Sequence, residues 1–114
     1  MSDSQPLTTA MFHVLLALAD GDKHGYAILK EVEMRTDGEV QLGTGTLYGI
    51  IKRLLLNDMI TEVRHAAAKN DDPRRRYYKL TDHGRATAIA EAKRLEKLVA
   101  DARSKRLIKA FKTT

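Results

Sequence analysis

Four histidines, three serines and one glycine-rich stretch are the residues from which reactive chemistry could be assembled in this chain. His13, His24, His65 and His83 are scattered, with no His-Glu-x-x-His run and no pair four residues apart, so they do not form a zinc-site pattern. Ser2, Ser4 and Ser104 stand in no nucleophile setting. There is no cysteine, hence no disulfide frame and no thiolate metal site. The stretch Gly43-Thr-Gly45-Thr-Leu-Tyr-Gly49 has the wrong spacing for a dinucleotide loop, follows no hydrophobic strand, and lacks the Gly-Lys-Ser/Thr of a phosphate loop. No catalytic constellation remains, and the chain is expected to be no enzyme and to need neither metal nor cofactor.

What does remain is the chemistry of phosphate and base recognition. Thr44, Thr46, Tyr48, Lys52 and Arg53 cluster in one stretch, Arg74, Arg75 and Arg76 in a second, and Tyr26 precedes both. Hydroxyls and cations of this kind hydrogen-bond phosphate oxygens and base edges. Packing between helices is the alternative use of Tyr26 and Tyr48, and a solvated strand that of the arginine triplet. Net charge is +5, and residues 82–114 carry all of it, with nine Lys/Arg against four Asp/Glu. In the balanced remainder the acids come early (Asp20, Asp22, Glu31, Glu33, Asp37, Glu39) and the bases late (Lys52, Arg53, Arg64, Arg74, Arg75, Arg76, Lys79). A neutral unit with one basic face suits phosphate binding; ordinary charge mixing is the alternative.

At 114 residues, 43% apolar and 31% charged, the chain is expected to be a small globular protein. The longest apolar run, Val14 to Ala19, is too short to cross a bilayer, and residues 1–9 lack a signal-peptide pattern. A cytoplasmic protein without membrane contact is expected. Thr8 or Thr9 caps a first helix bearing Met11, Phe12, Leu15, Leu16 and Ala19, which Asp20-Gly21-Asp22 ends. A second helix runs from about His24 to Thr36 with Ile28, Leu29 and Val32 inward, stopped by Asp37-Gly38. The third starts near Thr44 as N-cap, with Leu47, Ile50, Ile51 and Leu54 on one face. Gly45, Gly49, Lys52 and Leu56 lie opposite. Two glycines on an exposed helix face cost about 1 kcal/mol each against alanine, which makes sense if something large must approach the backbone; fraying or starting the helix is the alternative, above all for Gly45.

Ile60 to Arg64 reads as a strand and Arg76 to Leu80 as its return, with Asn70-Asp71-Asp72-Pro73 at the hairpin tip. Arg76, Tyr78 and Leu80 share one face and Arg75, Tyr77 and Lys79 the other; either could be the buried one. Thr81-Asp82 caps a last helix over about 82–112, some 45 Å long. Along it Ala88, Ala92, Leu95, Val99 and Ala102 alternate four and three apart, a seam for pairing with a second copy. The expected fold is mainly α with a small β-hairpin. Residues 1–81 would form a winged helix-turn-helix and residues 82–114 a dimerisation helix.

These residues resemble the PadR family of bacterial transcriptional regulators over nearly the whole chain. His24-Gly25-Tyr26 is similar to that family's opening of helix 2. Thr46-Leu47-Tyr48 with Lys52-Arg53-Leu54 is similar to its recognition helix. Arg76-Tyr77-Tyr78-Lys79-Leu80-Thr81 with Gly84-Arg85 is similar to its wing strand and entry to the last helix. Thr44 and Gly49 depart from a frequent proline, and Asp58 from the glycine that usually ends the recognition helix. The acidic Asp71-Asp72 is unusual at a wing tip. The short length resembles the subfamily in which a single C-terminal helix dimerises the protein. The resemblance implies a homodimeric repressor that binds a double-stranded DNA operator through helix 3 and the wing, released by a small-molecule effector, since some relatives bind planar aromatic compounds between the C-terminal helices. A winged-helix module that pairs with an unrelated protein is the alternative.

Overall fold

The first helix is started by a cap. In extended backbone, Thr8 accepts a hydrogen bond from the Met11 N–H through its hydroxyl, 3.0 Å, and so starts α1, Thr9–Ala17. A computed structural model of the chain describes residues 7–64 and 75–109. After α1 come β1 (Lys23–His24), α2 (Gly25–Arg35), α3 (Thr44–Leu56), β2 (Ile60–Val63), β3 (Tyr77–Leu80) and α4 (Asp82–Ser104). The three strands form one antiparallel sheet in the order β1-β3-β2, with Lys23 opposite Tyr78 and Ile60 opposite Leu80.

One apolar core holds these elements together. Val14, Leu15, Ile28, Val32, Leu47, Leu54 and Ile60 are buried from α1, α2, α3 and β2, and Tyr78 and Leu80 close it from β3. Each fully buried branched side chain contributes about 1.5–3 kcal/mol. The expected inward stripe of α3 is the observed one. The alternation in β3 resolves in favour of Tyr78 and Leu80 facing inward, which leaves Lys79 outside.

Three expectations need correction. Thr44 is the first helical residue of α3 rather than its cap. The cap is Gly43, extended and without a side-chain bond, and a residue already in helical backbone cannot turn its hydroxyl onto the next turn's N–H groups. His24 belongs to β1 and caps α2 through its ring, Nδ1 accepting from the Ala27 N–H at 3.1 Å. The two-residue strand itself is too short for any periodicity to reveal. Finally, α4 ends at Ser104, not near residue 112. Arg106 takes a left-handed conformation (φ 64°), and the Leu107 N–H turns back to the Ala102 carbonyl, 2.9 Å. At 23 residues the helix is about 35 Å long. The ends of α2 and α3 are built alike, with Asp37 (φ 52°) and Asp58 (φ 56°) where glycine is favoured.

Two knots fix the geometry around the core. The Lys23 ammonium donates to the Ala17 carbonyl and to Asp20, both 2.6 Å, and lies 3.4 Å from Glu31. Burial works against its charge, but the two carboxylates outweigh that and raise its pKa. At the other knot Thr81 joins α4 to the end of α3. Its N–H donates to the Met59 carbonyl and its hydroxyl to that of Asp58, while the hydroxyl accepts from the Gly84 N–H, capping α4. Gly84 is buried, and a Cβ there would stand 1.8 Å from the Met59 carbonyl oxygen. Only glycine allows the two backbones to meet this closely.

Candidate nucleic-acid interface

The outer face of α3 is open. Gly45, Gly49, Lys52, Arg53 and Leu56 are exposed opposite the buried stripe, as are Thr44 and Thr46 near its start. Nothing lies within 4 Å of where a Cβ would stand on Gly45 or Gly49, so no packing among the described residues asks for glycine at either position. The helix therefore presents a shallow, side-chain-poor centre flanked by Lys52 and Arg53.

Beside it, a cleft of about 460 Å³ forms where the start of α2, α3 and the sheet meet. It brings together Tyr26, Tyr48, Arg75 and Arg76, four of the residues expected to bind DNA. Thr44, Thr46, Lys52 and Arg53 do not line this cleft; they extend the surface along α3. Arg74 and the acidic tip Asp71-Asp72 lie outside the described residues. Tyr26 is exposed, with the Lys30 ammonium 5.5 Å from its ring centre, so it is not packed between helices. Tyr48 is half exposed, and its hydroxyl end lies so close to Gly25 that a Cβ there would be 2.6 Å away. Tyr48 thus both packs on α2 and faces the cleft. Arg76 reaches toward Glu62 at 3.7 Å, an exposed pair of small energetic weight.

Besides Gly25, two lining residues were not singled out from the sequence as interface residues. The His24 and Tyr77 rings meet nearly perpendicular, centroids 5.3 Å apart, and His24 Nε2 lies 3.2 Å from Arg75 Nη1. Tyr78 lines the cleft although it is only 4% exposed. Burial pushes its phenol above the ordinary value; Glu62 and Tyr48 add to that and Arg76 opposes it. A histidine just before a helix-opening glycine was the available signal for the first. For Tyr78 the unresolved alternation of β3 hid it.

The expected seam runs along α4. Ala88 packs against the chain's own core, and from Ala90 to Ser104 no residue of α4 is buried. Ala92 is exposed, Leu95 and Ala102 are partly covered, and Val99 is 39% exposed. A small apolar cleft of about 160 Å³ between α1 and α4 is lined by Phe12, Leu16, Ala88, Ile89 and Ala92, with Arg85 at its edge. Among the described residues no cluster of His, Asp or Glu could hold a metal ion, and no helix is long and apolar enough to cross a membrane.

Known proteins share this arrangement. Protein X of Lysinibacillus sphaericus is 30% identical over 73 residues, 64% of this chain and 65% of its own. The chain thus spans just under two thirds of that relative, and 24% of a 37.1 kDa transposon protein of Streptomyces fradiae. The structure of a transcriptional regulator from Clostridium thermocellum superposes with a TM-score of 0.70 at 26% identity, covering 86% of this chain and 89% of the other. A PadR family transcription regulator from Clostridium difficile gives 0.68 at 24%, covering 89% and 100%. The sequence pattern of the transcriptional regulator PadR-like family matches residues 14–90, well over half the chain. The four helices and small antiparallel sheet are the winged-helix fold of those structures, and the chain belongs to the PadR-like family of transcriptional regulators.

Proposed function

We propose that the protein is a homodimeric, sequence-specific DNA-binding repressor of the short PadR type, in which residues 1–81 bind DNA and residues 82–114 dimerise. The observation that carries this reading is the open face of α3, whose exposed glycines have no role inside the fold, standing next to a cleft that gathers Tyr26, Tyr48, Arg75 and Arg76. In this reading α3 enters the major groove with Thr44, Thr46, Lys52 and Arg53 along its sides, and the wing arginines hold the flanking backbone. Dimerisation uses the uncovered length of α4, with Leu95, Val99 and Ala102 at its centre and Ala88 and Ala92 at the margin nearest α1. Selection of bound sequences from random duplex DNA tests both claims together. A two-fold symmetric consensus is expected; recovery of no consensus removes sequence-specific binding.

The apolar cleft between α1 and α4 favours a second element of the reading, an effector site. It carries Phe12 but no tryptophan, since the chain has none. A compound taken there touches both the dimer helix and the core, and its binding should change operator affinity. Titration with small aromatic compounds, followed by operator release, tests this.

A further inference from the structure

The chain does not fray after α4 but turns back in a fixed way. Arg106 takes the left-handed position, the Leu107 N–H donates to the Ala102 carbonyl, 2.9 Å, and Arg103 Nε donates to the Lys109 carbonyl, 3.2 Å. In such a turn the apolar residue after the left-handed one usually packs back on its own helix. Leu107 instead is 79% exposed, and Ile108 beside it 43%. The result is a short hook, residues 105–109, that holds two aliphatic side chains in the open.

The apolar cleft between α1 and α4 is a gap of matching kind. At about 160 Å³ it offers only half of the roughly 300 Å³ at which small-molecule pockets begin, which suits an aliphatic side chain. The cleft and the hook stand symmetrically on α4. Ala92 in the cleft and Arg106 in the hook lie equally far before and after Val99, about 10 Å along the axis in each direction. Two copies paired antiparallel about Val99, near the centre of the proposed seam, therefore bring each hook level with the other's cleft. Charge favours that direction. Residues 102–109 carry Arg103, Lys105, Arg106 and Lys109 and no acid. A parallel pair sets both groups of cations side by side, whereas an antiparallel pair keeps them about 20 Å apart. The α1 end of the cleft runs on into Asp20 and Asp22, and its lining cation, Arg85, is turned onto the Ala19 carbonyl at 3.1 Å.

We propose that the hook of one protomer seats Leu107 and Ile108 in the α1–α4 cleft of a second copy, with the two α4 helices antiparallel about Val99, so that each cleft is completed only by the partner. The inference rests on the homodimer reading and adds to it a direction, a register and a contact beyond the helix. It also bears on regulation. The cleft assigned to an effector is filled in the resting dimer by an aliphatic plug, and a ligand that enters it has to displace the hook, loosening the dimer beside α1.

The chain has no cysteine, so disulfide trapping reads the contact directly. Ala92→Cys/Leu107→Cys, a second pair Ile89→Cys/Ile108→Cys, and the single variants are oxidised in dilute solution with copper phenanthroline and resolved on non-reducing gels; wild type is also sedimented. All four positions are exposed, so the changes leave the core intact. Within one chain the paired positions are more than about 15 Å apart along α4, beyond the reach of a disulfide, so a bond between them joins two chains. A covalent dimer is expected from at least one double variant and from no single variant. A covalent dimer from a single variant puts equal positions side by side and overturns the antiparallel register. A wild type that sediments as a dimer while neither double variant cross-links overturns the seat and leaves the homodimer reading standing. A monomeric wild type removes the homodimer reading and the seat with it. Independently, Leu107→Ser/Ile108→Ser is expected to weaken the dimer at least about tenfold, and an unchanged dimer Kd also overturns the seat.

Discussion

Gly49→Ala should make the free protein more stable and the bound protein less so. Gly49 lies in the middle of α3, exposed, with nothing within 4 Å of the point where a methyl group would stand. An alanine there meets no neighbour and gains the full difference in helix propensity, about 1 kcal/mol. For a domain of this size that raises the melting temperature by about 4–8 °C. Against DNA the sign reverses. In the proposed reading the added methyl stands at the centre of the face that α3 turns toward the groove, and would lift the helix away from the contacts assigned to Lys52 and Arg53. A loss of at least about tenfold on the operator, or about 1.4 kcal/mol, is expected. Thermal unfolding without DNA and fluorescence anisotropy on the selected operator measure the two effects separately. A variant that melts higher and binds as tightly as wild type would show that the outer face of α3 does not meet DNA closely. A variant that melts no higher would show that Gly49 has a role inside the fold after all.

Other perturbations probe the remaining parts. Lys52→Ala should cost about 1–3 kcal/mol on the operator and much less on scrambled DNA if it reads a base, while Arg75→Ala should weaken both alike and lower the salt slope by about one; equal losses for Lys52→Ala would make it a phosphate contact. Val99→Glu puts a charge on an exposed stretch of α4 outside the core, so sedimentation should show a folded monomer, and a persisting dimer would place the interface elsewhere. Gly84→Ala forces a methyl onto the Met59 carbonyl and should destabilise by about 3 kcal/mol; a denaturation midpoint near that of wild type would mean that the α3–α4 joint yields easily. Burial and then Arg35, 3.0 Å away, hold the His13 pKa below its ordinary value. The unfolded chain therefore takes up this proton first as pH falls, so stability present above about pH 6.5 declines below it. His13→Gln should flatten that decline in urea midpoints measured from about pH 7.5 to about pH 5, and an unchanged acid limb would remove His13 as its cause.

The parts of the fold that were legible in the sequence are those where burial imposes a period. Leu47, Ile50, Ile51 and Leu54 mark α3 because one face must be apolar along its whole length. The motifs around His24, Tyr48 and Tyr78 carried the resemblance to the family, and the family pattern matches residues 14–90, which contain all three. Elsewhere the local signal was missing. The end of α4 carries no glycine, since Arg106 takes the left-handed position itself, and the residues beyond it would suit a helix equally well. In β3 both faces offer a tyrosine and a basic residue, so alternation alone could not choose between them. The role of His24 as a cap was hidden for another reason: histidine is an uncommon cap, and its fitness depends on a ring nitrogen that only the backbone of Ala27 reveals.

The joint at Thr81 and Gly84 bears on more than stability. Because the start of α4 packs directly on the backbone that closes α3, through Thr81 and Gly84 on Met59, we expect the two helices to move as one bent strut. Where two copies join along α4, the separation of their α3 helices is then set like the span of a pair of callipers. In the proposed dimer such an instrument would accept operators of one half-site spacing and reject those with a base pair added or removed. It also gives a signal at the dimer seam a purely mechanical output: changing the angle at which the two struts cross alters the span at their far ends, with no rearrangement inside either DNA-binding unit.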